Sequence, residues 1–124
     1  MTTAQKVRVY YNLHRHCWSL VAIGGENAGR VIAHEDKVIL EDVSFVVRPA
    51  GRARVLKERK KNVHAFAVGT LAVNAQMGCK ARVTYNPFKS ATFYCAEAGP
   101  TSPVTKADVA QLDQYGHVYC RNPR

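Results

Sequence analysis

The densest concentration of chemistry in this chain is one basic segment. Between Arg48 and Lys61 stand Arg48, Arg52, Arg54, Lys57, Arg59, Lys60 and Lys61, against a single acid, Glu58. Seven cations less one anion leave +6 of the formal +9 of the whole chain within this stretch. Arginine offers phosphate a planar fork, and lysine offers a point charge. An array of both gains affinity by releasing the counterions of a polyanion, an effect steep in salt. A solvated helix face is the plainer explanation of an ordinary basic run, since cations also suit a helix C-terminus. This one dominates the charge of the chain, which favours phosphate binding by all seven residues.

Aromatic residues accompany the cations. Tyr10 lies beside Arg8, and Tyr85, Phe88 and Tyr94 surround Arg82 and Lys89. Exposed rings stack nucleic-acid bases, each contributing roughly 1–3 kcal/mol. Most of these rings read as cross-strand packing. Tyr10, on the polar face of its segment, and Phe88, at the tip of a turn, are the two stacking candidates.

Histidine is the other chemical signal. His14-Arg15-His16-Cys17, with His34 and His64 farther along, matches no zinc spacing, so neither a metal nor a cofactor is expected. A metal-independent ribonuclease would need a general base, an acid and a cation for the phosphate. His14, His64 and Lys61 are the residues for that role, with Arg52 as an alternative cation. Yet His64 shares a strand face with Phe66 and Val68, where a hydrogen-bonded core histidine is simpler. There is no Walker loop, Gly-x-Gly-x-x-Gly or Gly-x-Ser-x-Gly. RNA-recognition, zinc-finger and helix-turn-helix patterns are missing too. A binding protein is therefore expected rather than an enzyme.

The elements that must position these residues are mostly strands. Lys6–His14 alternates, with Val7, Val9, Tyr11 and Leu13 on one face and Arg8, Tyr10, Asn12 and His14 on the other. Cys17–Ile23 reads as its partner. Arg30–Ala33, Lys37–Leu40 and Ser44–Val47 follow as short strands. Pro49 suits the start of a helix, and the good helix formers of Ala50–Lys61 continue it. Its apolar positions, Ala50, Ala53, Val55 and Leu56, make only a thin stripe. Asn62–Val73 returns to strand, bent at Gly69. Lys80–Asn86 and Ser90–Ala96 form a hairpin about Asn86-Pro87-Phe88-Lys89. Thr105-Lys-Ala-Asp108 resembles a capping box that opens a short helix to Gln114, and His117–Arg121 is a last strand. The expected fold class is α+β: a strongly bent antiparallel sheet or partial barrel with one basic helix and one short C-terminal helix.

The 124 residues fit one domain. Eighteen Lys and Arg against nine Asp and Glu imply a polyanionic partner. Nucleic acid, nucleotides, an acidic protein and an anionic membrane are the classes this charge admits. No run of 18 apolar residues spans a bilayer, and Met-Thr-Thr-Ala-Gln-Lys has no apolar leader region, so cytoplasmic residence is expected. Cys17, Cys79, Cys95 and Cys120 are widely spaced and read as small buried residues, with two disulfides as the alternative.

Several stretches carry a likeness. Tyr11-Asn12-Leu13-His14 with Cys17 and Ser19, Gly29-Arg30-Val31-Ile32-Ala33-His34, Gly51-Arg52, Lys61-Asn62-Val63-His64-Ala65 and Thr84-Tyr85-Asn86-Pro87 resemble a set of small bacteriophage and prophage proteins without an assigned activity. The resemblance implies a viral origin and a bacterial host cytoplasm. It carries over no functional residues. Phage proteins of this size often modulate the host, so an inhibitor of a defence complex or of its nucleotide signal is the alternative to plain binding of nucleic acid or nucleotide. No membrane partner is expected.

Overall fold

The computed structural model describes residues 5–72 and 78–124. Its elements are β1 (Lys6–Asn12), β2 (Cys17–Ala22), β3 (Val31–Glu35), β4 (Val38–Val47), α1 (Pro49–Glu58), β5 (Ala65–Leu71), β6 (Ala81–Thr84), β7 (Phe93–Cys95), β8 (Pro103–Val104), β9 (Lys106–Leu112) and β10 (Val118–Arg121). The strands form one sheet in the order β3-β2-β1-β5-β4-β9-β10-β6-β7-β8. Every neighbouring pair is antiparallel. Val73, the expected last residue of the strand that begins at Asn62, and the first four residues lie outside the described residues.

This architecture corrects the expected α+β class with two helices. Among the described residues it is a ten-stranded antiparallel sheet with one short helix. The segment expected as a C-terminal helix is β9, paired with β4 on one side and β10 on the other. Thr105 does not cap a helix: its backbone N–H and its hydroxyl both turn to the Arg124 carbonyl. Asp108 meets Arg124 and Asn122 instead of a helical N–H. Two flanking strands satisfy the β9 backbone, and tertiary pairing of this kind overrides a weak local helix signal.

Lys37–Leu40 and Ser44–Val47, expected as separate strands, are one strand, β4. Against β5 the pairing steps from Glu41↔Thr70 to Ser44↔Val68, so β4 carries one extra residue there. This is a β-bulge, with Asp42 in the left-handed region at φ 50. Leu40 and Val43, an odd number of residues apart, are consequently both buried. Gly69 faces the bulge. A Cβ there would stand 2.8 Å from the Glu41 carbonyl oxygen.

The sheet curls on itself. Trp18 of β2 and the chain just beyond β9 are four strand positions apart, about 19 Å in a flat sheet. Yet Trp18 Nε1 donates to the Asp113 carbonyl at 2.7 Å. Likewise Phe93 of β7 reaches Phe45 of β4, with ring centroids 4.9 Å apart. Val7, Val9, Leu40, Val43, Val83 and Leu112 fill the concave side. The open edges are β3 and β8, and β3 leaves Val31 and Ile32 exposed. All four cysteines are free thiols. Burial pushes the Cys120 thiol up to about 12, with Cys79 and Cys95 adding to the effect. Among the described residues no helix is long and apolar enough to cross a membrane.

Trp18→Phe removes the hydrogen bond that closes the curl and leaves volume unfilled. A loss of about 2 kcal/mol in urea unfolding is expected. An unchanged midpoint would show that the curl does not depend on this bond.

Candidate nucleic-acid interface

The basic segment is an excursion from a hairpin. Val47 of β4 pairs directly with Ala65 of β5, and residues 48–64 loop out between them. Pro49 opens α1, with no side-chain cap and no acid in the first turn. The helix ends earlier than its composition suggests. Arg59 adopts the left-handed conformation at φ 56, and its N–H closes on the Val55 carbonyl at 2.8 Å. From there the chain turns back toward β5.

Only Val55 of α1 is buried, so the helix needs other anchors. His64 is the principal one. The Arg48 N–H donates to its carbonyl at 2.7 Å. Gly51 packs so closely that a Cβ would stand 2.4 Å from His64 Cβ. Asn62 Nδ2 donates to the Gly51 carbonyl, which turns the Asn62 Oδ1 toward His64 Nδ1 at 2.9 Å. The Asn62 carbonyl also faces Nδ1, at 3.1 Å. Both groups only accept, so Nδ1 carries the proton and Nε2 accepts from the Tyr85 hydroxyl at 2.7 Å. Tyr85 stacks on Phe93, which meets Phe45 in the core. A line of rings thus ties α1 to the interior. Burial pushes the Tyr85 phenol up, against the opposing charge of Arg52.

Arg52 extends this anchoring. Its Nε donates to the Pro87 and Ser90 carbonyls, each at 3.0 Å. The β6–β7 loop is thereby pinned to the helix. Asn86 shapes the same loop, its Oδ1 accepting the Phe88 N–H at 2.9 Å. Phe88 stands at the tip, 58% exposed.

The seven predicted phosphate-binding cations therefore do different things. Lys57, Arg59, Lys60 and Lys61 are exposed, and none forms an ion pair among the described residues. Arg54 lies 4.0 Å from Glu58, an exposed and well-screened pair. Arg52 positions a loop. Arg48 turns onto the sheet, its guanidinium 4.9 Å from the centroid of Phe66. Arg8 approaches the same ring at 4.8 Å, and Tyr10 meets it edge-on at 6.1 Å. The sequence pattern does not single out Arg8 and Phe66 as site residues. The signal for them is the placement of Arg8 beside Tyr10 on the polar face of β1.

His64 holds structure. Both ring nitrogens of His64 are engaged, and the residue is buried. His14 is exposed in the β1–β2 turn, where its backbone N–H donates to Asn12 Oδ1. The neighbours of His64 are Asn62, Gly51 and Tyr85, so the two histidines of the expected nuclease pair are not brought together. His34 Nδ1 faces the buried Ser19 hydroxyl at 3.0 Å. No three His, Cys, Asp or Glu side chains cluster as metal ligands among the described residues. A concavity of about 290 Å³ beside β3 is lined by Leu20, Ile32, Val38 and Leu71, without arginine or aromatic rings.

The chain is thus a curled antiparallel sheet with a basic helical excursion. The chain belongs to the family of the Mycobacterium phage L5 gene 82 protein, whose pattern matches residues 1–120. The Gene 82 protein of Mycobacterium phage L5 is a relative, 38% identical over 118 residues that cover 90% of this chain and 92% of the relative. No solved structure matches the chain.

Gly51→Ala sets two effects against each other. Helix propensity alone favours alanine by ~1 kcal/mol. The collision with His64 costs about 1–3 kcal/mol by overpacking and shifts α1. A net loss of stability is expected in thermal unfolding. A gain would mean that α1 is free to move off His64.

Proposed function

We propose that this protein is a non-catalytic binder of single-stranded nucleic acid, acting in the cytoplasm of a phage-infected bacterium. The strand's phosphates contact Lys57, Arg59, Lys60 and Lys61, and a base stacks on Phe88. The observation that carries this reading is the Arg52 bridge. It ties the loop that carries an exposed ring to the helix whose far end and exit carry the exposed cations. A charged track with an aromatic platform suits single strands, because every unpaired base has a free face while a duplex hides its own. No base-reading motif accompanies it, so weak sequence preference is expected.

Replacing Lys57, Arg59, Lys60 and Lys61 together by Gln tests the electrostatic part. The slope of log K against log salt for a short single-stranded oligonucleotide should flatten by roughly 0.7 for each phosphate that is no longer neutralised. Phe88→Ala should weaken binding by roughly 1–3 kcal/mol with little change in that slope. An unchanged slope in the four-residue variant would remove α1 and its exit from the interface.

A further inference from the structure

Outside the α1 exit, the outer sheet face holds two arginines on one ring. Arg8 has Val21 of β2 and Val68 of β5 as cross-strand neighbours. Its guanidinium and that of Arg48 lie 4.8 and 4.9 Å from the Phe66 centroid. The two charges are therefore held within about 10 Å, roughly a Debye length at 0.1 M salt, where they repel. No carboxylate answers either one: the ion pairs of the described residues belong to Arg54, His117 and Arg124. Arg8 Nε is buried and has no hydrogen-bond partner among the described residues. The Phe66 quadrupole attracts both cations but supplies Nε with no acceptor. A buried guanidinium N–H facing no acceptor is costly. The uncapped start of α1 at Arg48 adds the positive end of a helix dipole. Tyr10 completes the rim, edge-on to Phe66.

We propose that Arg8 and Arg48 form a binding site for the phosphoryl group of a nucleotide, with Tyr10 beside it to contact the nucleoside. Two guanidinium groups supply forked donors that match phosphate oxygens. The bound anion cancels their repulsion. This site is independent of strand binding along the α1 exit, and its ligand is a small phosphate ester rather than a polymer.

The test is calorimetric titration of the intact protein at low salt with AMP and, separately, with inorganic phosphate. AMP should bind saturably and more tightly than phosphate. The double variant Arg8→Met and Arg48→Met keeps an apolar cover over Phe66 but removes both charges. It should retain its melting temperature and bind AMP more weakly by roughly tenfold or more per guanidinium, the usual effect of removing a charged hydrogen bond. Where that variant does not fold, Arg8→Lys keeps charge and cover but not the fork, and it should weaken AMP binding. The Gln variant at positions 57, 59, 60 and 61 should keep saturable AMP binding that is tighter than phosphate binding, so failure of the strand-binding reading is seen separately. Three results overturn the proposal: no saturable AMP binding by the wild type at millimolar concentration, unchanged affinity in the arginine variants, or AMP binding no tighter than phosphate.

Discussion

The geometry of the basic surface depends on one buried imidazole. His64 receives α1 through the absent side chain of Gly51 and is oriented by Asn62. It also accepts the Tyr85 hydroxyl. Three segments meet on this ring: the helix, its return strand and the β6–β7 loop. A helix with a single buried side chain has little apolar area with which to hold its place. Polar contacts around His64 and the Arg52 bridge do it instead. Such contacts are directional, so they set orientation more than they add stability.

The sheet supplies the rigid base. Its curl lets one hydrophobic cluster be shared by strands far apart in the sheet order, from Trp18 on β2 to Phe93 on β7. The bulge at Glu41–Asp42 works within the same scheme. It shifts the inward phase of β4 midway, so that Leu40 and Val43 both point inside as the strand bends. The outer face then remains for longer polar-tipped side chains, and Arg8, Tyr10 and Arg48 cover Phe66 there.

Much of this is legible from alternation alone. Val7 and Val9 against Arg8 and Tyr10 announce a half-buried strand, and β1 is one. Pro49 and the run of helix formers announce α1, although its end at Glu58 requires the left-handed turn of Arg59, which charge and propensity do not reveal. The segment from Lys106 to Leu112 misleads because four residues imitate a cap, while the partners that make it a strand lie on β4 and β10. The basic site divides in the same way. Composition locates its cations, but not the inward turn of Arg52 to the Pro87 and Ser90 carbonyls. The company that Arg48 keeps with Arg8 arises from cross-strand adjacency, which no local pattern encodes.

The open edge at β3 gives the net charge a second meaning. An exposed strand edge with Val31 and Ile32 beside it is a template for another copy of the chain. At +9, two copies repel before their edges can meet. Mutual repulsion of copies and attraction of any polyanion are then two expressions of one electric field. Added electrolyte weakens both together, and a polyanion that neutralises the surface also lowers the barrier between neighbouring molecules along its length.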